Sequence, residues 1–234
     1  MFYAGIADEA ASDIDGQIKV IKELGWENIE LRGIEGKNIT DISEQKFDEL
    51  SSKLNDANIK VCAFSSRVAN WGKDPIKEDD FKQSLAELKR AIPRMKKLGT
   101  KMIRGMSFAV LKDRDPFDSD LEKEIFDKLE QILSICEEED IIYLHENCKN
   151  HFSQSYKHME KLLARFDSPY FKIVFDTGNS HLNKNKMGDK PYEMQTSWKA
   201  YQTLKSRIAH VHIKDSIFIR ETDDIFPEAD FTYP

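Results

Sequence analysis

The chain has 234 residues, of which 40 % are apolar and 10 % aromatic, the balance of a folded globular domain and not of a disordered chain. Its net charge of -7, from 35 Lys and Arg against 42 Asp and Glu, excludes the broad phosphate neutralisation on which non-specific nucleic-acid binding rests. Cys62, Cys136 and Cys148 are far apart and form no CxxC pair, no stretch approaches the roughly 18 apolar residues that span a bilayer, and the N-terminal MFYAGIADEAA lacks the basic start of a signal peptide, so a cytoplasmic protein without a disulfide framework or membrane contact is expected.

A first strand is predicted over 2–7. Ser12 and Asp15 then make a capping-box-like start to a helix whose Ile14, Ile18, Ile21 and Leu24 form one apolar stripe, with Gly25 just past its end. A short strand over 28–31 is followed by a helix over about 43–55 that shows Phe47, Leu50 and Leu54 on one face. The third strand is 60–64. A polar loop with Trp71 and Pro75 leads to a long helix over about 79–98, in which Pro93 predicts a kink or break, and Gly99 ends it. Strand 101–104, helix 119–139, strand 141–146, helix 153–165, strand 171–176, helix 193–205 and strand 208–215 complete the series. Such alternation predicts an α/β chain with a parallel sheet, a (β/α)₈-type TIM barrel occupying 1–234 as one domain. The segment after Asp215 has no clear period, so the barrel is expected to be incomplete at the C-terminus, with about seven strands and strand eight missing.

In a parallel barrel the chemistry sits at the C-terminal strand ends. Strand one offers Asp8 and Glu9 there, and strand two offers Glu30 and Arg32. Strand three offers Ser65, Ser66 and Arg67, and strand four Arg104. Strand five ends in His145, Glu146 and Asn147, strand six in Asp176 with Asn179 and His181 beyond, and strand seven in His210, His212, Lys214 and Asp215. Alternation puts His210, His212 and Lys214 on one face. Burying such groups without partners costs about 2–7 kcal/mol each, so a metal ion or polar ligand is expected to supply the partners. Glu146, Asp176 and His212 lie one at each of three successive strand ends and make a mixed oxygen and nitrogen set suited to Mn²⁺, Mg²⁺, Co²⁺ or Zn²⁺. Each also has a structural reading: Glu146 as an ordinary strand-end charge, Asp176 as the cap of an Asp-Thr-Gly turn, His212 as a core histidine. His210 reads as structural, His145 and His181 as either, and Cys148 lacks the neighbouring His of a catalytic thiol.

The segments HENC at Glu146, FDTGNSH at Asp176 and HVHIKD at His212, in that order, together with IELRG at Glu30 and GKN at Lys37, resemble the sugar phosphate isomerase/epimerase family of xylose-isomerase-like TIM barrels over essentially the whole chain. The resemblance implies a divalent metal held by Glu146, Asp176 and His212; the family's fourth ligand, a Glu on strand eight, has no counterpart here. Where the family often has a His three residues after the strand-six Asp, this chain has Asn179, with His181 two further on, and the family's Glu-Asn-His on strand five is Glu-Asn-Cys. The implied activity is isomerisation or epimerisation of a sugar or sugar phosphate by proton transfer through a metal-stabilised enediolate, with Glu146 as a catalytic carboxylate. Asn179, His181, Lys214, Arg220, Glu30 and Arg104 are the expected substrate contacts. The alternatives are a polyol (inosose-type) dehydratase, a hydroxypyruvate-type isomerase and a catalytically impaired sugar-binding remnant. An AP endonuclease is disfavoured by the acidic charge and by Ser65 and Arg104 where metal-binding histidines would be needed. The expected partner is a small carbohydrate, with no nucleic acid and no membrane. The two open barrel edges are expected to be covered by the segment after Asp215 or by a second copy in a homo-oligomer.

Overall fold

The computed structural model describes residues 1–115, 117–180 and 192–214, together with the backbone of 217–218 and 231–232. In chain order the strands are β1 (Ala4–Gly5), β2 (Asn28–Leu31), β3 (Gly33–Ile34), β4 (Lys37–Asn38), β5 (Lys60–Ser65), β6 (Met102–Gly105), β7 (Ile142–Glu146), β8 (Phe171–Asp176), β9 (Ile208–His212), β10 (Ile217–Phe218) and β11 (Phe231–Thr232). Seven of them form one sheet in the order β1-β2-β5-β6-β7-β8-β9, every pair parallel. The pairs β3–β4 and β10–β11 are separate antiparallel ribbons. The crossovers carry α1 (Ile14–Glu23), α2 (Glu44–Asp56), α3 (Glu78–Leu98), α4 (Ser119–Glu138), α5 (Tyr156–Arg165) and α6 (Ser197–Leu204). This is the expected α/β alternation, an incomplete TIM-type barrel.

The sheet is strongly curled, and one contact proves it. In a flat sheet β2 and β9, five strand spacings apart, would be separated by roughly 24 Å. Instead Glu30 on β2 is 2.9 Å from His212 on β9. Side-chain alternation therefore has a clear meaning here. Ile29, Leu31, Ile103, Tyr143 and Phe171 point outward and pack with Ile21, Phe47, Leu88, Met95, Ile125 and Leu129 of the helix layer. Leu144, Val174 and Ala63 pack together inside the curl. Glu30, Glu146, Asp176 and His212 share that inner side, nearer the C-terminal strand ends. Among the described residues no strand lies between β9 and β1, and Val211 on β9 is 45 % exposed.

Local structure departs from expectation in a few places, each with a cause. The α1 cap is Asp13, whose carboxylate accepts the Gly16 N–H at 2.9 Å, and not Ser12 with Asp15; the Ser12 carbonyl instead accepts the Glu35 N–H at 2.7 Å. Pro93 does not break α3, which runs through it to a left-handed Gly99 cap. A mid-helix proline costs about 3 kcal/mol. Burial of Leu88, Ala91, Ile92 and Met95 offsets it, as do the Arg94 hydrogen bonds to the Ile39 and Ile42 carbonyls at 2.6 and 2.8 Å. Helix α5 starts at Tyr156, three residues later than expected, because a 3-10 turn over His151–Ser153 precedes its Ser155 cap. Helix α6 is shorter than expected because Thr196 caps it, accepting the Lys199 N–H at 3.1 Å. The segment expected to cover a sheet edge lies outside the described residues, apart from the β10–β11 backbone. No helix among the described residues is long and apolar enough to cross a membrane.

Candidate metal centre

Three successive strands end in the three expected ligands. Glu146 closes β7, Asp176 closes β8, and His212 closes β9 beside Asp176 in the parallel register. Their donor atoms all lie within 4.8 Å of one another, and all three residues are buried. Asn147 ties the strand ends together. Its amide oxygen accepts the Asp176 N–H at 2.6 Å, and its amide nitrogen donates to the Asp176 carbonyl at 2.9 Å. The β7 end is fixed from the other side, where Ser153 and Asn150 both donate to the Glu146 carbonyl, at 2.9 and 3.0 Å.

The electrostatics follow from these contacts. The two nitrogens of His212 face two different carboxylates: Nδ1 is 3.3 Å from Glu146 Oε1, and Nε2 is 2.9 Å from Glu30 Oε2. Burial alone would strip the ring of its second proton, but the hydrogen bonds and charges of Glu146 and Glu30 lift His212 to about 10. Burial likewise pushes the Glu146 carboxyl up; the Arg104 guanidinium at 3.1 Å and His212 outweigh it and hold Glu146 at about 2. Asp176 is raised above the ordinary aspartate value, mainly by burial, although its Oδ1 accepts the Gly178 and Asn179 N–H groups at 2.8 and 3.0 Å. Two carboxylates and one imidazole, converging and shielded from water, are a chemically suitable donor set for a divalent ion. Loading it requires His212 to give up the proton on Nδ1, since a ligand imidazole must be neutral.

The cluster lines a cavity of about 690 Å³. Arg104, Asn179 and Lys214 line it too, with Lys214 Nζ donating to Asn179 Oδ1 at 3.0 Å. Arg32 and Arg67, strand-end candidates, line the wall as well, and Trp71, which the strand-end logic does not reach, joins them and is 56 % exposed. A large aromatic standing alone in the polar loop after strand three was the available signal. Glu30, expected to touch substrate, does not line the cavity. It lies behind His212, accepts His210 Nε2 at 2.8 Å and His212 Nε2 at 2.9 Å on one oxygen, and accepts the Ser65 hydroxyl on the other. Glu30, His210 and His212 form a second group of converging donor atoms. His181 and Arg220 lie outside the described residues. His145 points away from the cluster, bonded to Ser107 Oγ at 3.0 Å, and burial lowers it to about 4. Cys148 lines the cavity, but burial pushes its thiol up to about 12 and leaves no thiolate at neutral pH.

A family model described as xylose isomerase-like TIM barrel matches residues 18–225. A comparison with curated protein sequences gave no match. Among solved structures, 3-keto-D-glucoside 4-epimerase YcjR from E. coli is 15 % identical with a TM-score of 0.69, covering 92 % of this chain and 80 % of that one. The probable 3-DHS dehydratase AsbF, involved in petrobactin synthesis in Bacillus anthracis, is 18 % identical with a TM-score of 0.68, covering 92 % and 73 %. The IOLI protein with a bound zinc atom is 16 % identical with a TM-score of 0.69, covering 100 % and 79 %. At such identities these likenesses speak for the fold, and the family match covers most of the sequence: the chain belongs to the xylose isomerase-like TIM barrel family.

Proposed function

We propose that this chain is a divalent-metal-dependent isomerase or epimerase of a sugar or sugar phosphate, with Glu146, Asp176 and His212 as metal ligands and Glu146 also as the proton acceptor. The observation that carries the reading is the convergence of those three donor sets within 4.8 Å in the wall of a cavity of about 690 Å³. A bound Mn²⁺, Mg²⁺, Co²⁺ or Zn²⁺ would serve as a Lewis acid toward a carbonyl and its neighbouring hydroxyl.

The residues of the chain do the rest. Arg104, Asn179 and Lys214, which line the same cavity, orient the sugar through its oxygens. Glu146 takes the proton from the carbon beside the carbonyl. Arg104 holds Oε2 of Glu146 at 3.1 Å, so activation of this base has Arg104 exchange that oxygen for a substrate oxygen. The exposed Trp71 ring offers an apolar face to the sugar's C–H groups. Once the proton is removed, its return to carbon gives an epimer or isomer, whereas loss of a neighbouring hydroxyl gives dehydration. The named activities of YcjR and AsbF represent those two outcomes.

Glu146→Ala tests the reading. We expect a folded chain that no longer retains Mn²⁺ and no longer interconverts any member of a ketose panel, read by metal analysis and by product chromatography. Turnover of polyols in place of ketoses by the native chain would select the dehydratase. Full metal retention in Glu146→Ala would sink the proposed centre.

A further inference from the structure

The metal reading leaves Glu30 without a role, yet it is among the most heavily partnered acids in the chain. It is 2 % exposed, sits on the inner side of β2, and is reached across the curl by two histidines of β9. A carboxylate taken out of water is strongly disfavoured unless its lone pairs are satisfied. Here Ser65 fills one oxygen and His210 and His212 share the other. Glu30 is not among the cavity-lining residues, and its carboxylate oxygens are taken up by Ser65, His210 and His212. What it touches is the nitrogen of His212 that faces away from Glu146.

We propose that Glu30 is a positioning residue for the metal centre, fixing His212 with its proton on Nε2 so that Nδ1 is presented beside Glu146 and Asp176. The inference rests on the metal reading above. The two ring nitrogens are not equivalent in this geometry. Nδ1 is 3.3 Å from Glu146 Oε1, and Nε2 is 2.9 Å from Glu30 Oε2. Nδ1 is therefore the nitrogen on the Glu146 side, and Nε2 is the one engaged by the buried Glu30. A carboxylate behind a ligand imidazole selects the tautomer, locks the ring plane and makes the coordinating nitrogen more basic. His210 and Ser65 hold Glu30 in turn, which gives the alternating polar face of β9 a purpose beyond direct ligation.

The experiment is a Mn²⁺ titration of the native chain and of Glu30→Gln, followed by EPR, with thermal unfolding of both chains recorded without metal. We expect one ion per native chain and about 10- to 100-fold weaker binding in Glu30→Gln, the range for loss of such a partner. Glu30→Asp, which keeps the charge, should recover part of the loss, and it also serves if Glu30→Gln does not fold. Equal affinity in the native chain and Glu30→Gln, whatever the melting temperatures, would overturn this inference alone. Two ions per native chain would overturn it as well, because Glu30, His210 and His212 would then be ligands themselves. A native chain that takes up no ion would overturn the metal centre and this inference with it.

Discussion

Strand β7 separates two groups of buried histidines that behave in opposite ways. On the inner side His212 lies between two carboxylates and is lifted to about 10. On the outer side His145 is bonded to the Ser107 hydroxyl at 3.0 Å with no carboxylate hydrogen-bonded to it, and His151 has no hydrogen-bond partner on either ring nitrogen among the described residues. Burial lowers both to about 4. All three rings are at least nine-tenths buried, so burial does not decide the charge. The neighbouring acids do. Around β7, carboxylates face the inner ring and a hydroxyl faces the outer His145 ring. One side can accept a cation; the other is polar packing.

Acid should break the outer group first, and this is the largest effect we expect. Both His145 and His151 have native values below the unfolded value of about 6.5. Above that pH they are neutral in both states and cost nothing. Between about 6.5 and 4 the unfolded chain binds protons that the native chain refuses, so stability falls as the pH falls. The loss is on the order of 3 kcal/mol for each histidine, saturating below about 4. The inner carboxylates Glu30 and Glu146 lie below the ordinary glutamate value. Their contribution is lost only as the pH drops below about 4.5. Urea unfolding between pH 7 and 5 therefore reads these two histidines against His212, Asp176 and Glu87, whose raised values act in the opposite direction. His151→Leu, close in volume, should flatten that slope while changing stability at pH 7 by less than about 1.5 kcal/mol. An unchanged slope in that variant would break the comparison.

The inner group should show the reverse, with function lost and stability kept. Asp176→Asn leaves an oxygen to accept the Gly178 and Asn179 N–H groups, and it removes a charge whose burial is already unfavourable. We expect Mn²⁺ affinity to fall by more than about 100-fold, beyond the range for a residue behind a ligand, with a melting temperature equal to or above that of the native chain. Calorimetric titration and thermal unfolding measure both. Retained affinity would mean that Asp176 only caps its turn.

The strand ends were legible in the sequence because an apolar run that stops at Glu146, at Asp176 or at His212 is a local pattern, and parallel-barrel logic carries each end to the same place. The same logic exposed Glu30 but could not tell cavity from backing. That distinction depends on how tightly β2 and β9 curl toward each other, a property of the whole sheet. Likewise the period of α3 was readable, but not that Arg94 and its apolar neighbours would carry it through Pro93. The cap at Asp13 was missed for a simpler reason: Ser12, Asp13 and Asp15 are all plausible caps, and the Glu35 N–H to Ser12 carbonyl bond that separates them comes from the β3–β4 turn. Trp71 was visible as an isolated aromatic, but nothing local says that its loop borders the cavity.

The smallest effect is the one that best separates the two sides of β7. Ser155 caps α5 behind the sheet, where its hydroxyl accepts the His158 N–H at 3.3 Å and lies 2.8 Å from His158 Nδ1. Ser155→Ala removes the cap and that ring contact, at a cost of about 1 kcal/mol. The helix should still form, because Tyr156, Met159 and Leu162 keep its buried face. Ser153 and Asn150 hold the Glu146 carbonyl without involving Ser155, so the position of Glu146 should not change. Stability in urea should therefore drop by about that amount while Mn²⁺ affinity stays within about twofold of native, since a cap acts through the helix end and not through the ligand set. A parallel loss of affinity would show that the packing behind β7 reaches the metal centre, and that the two sides are one mechanical unit.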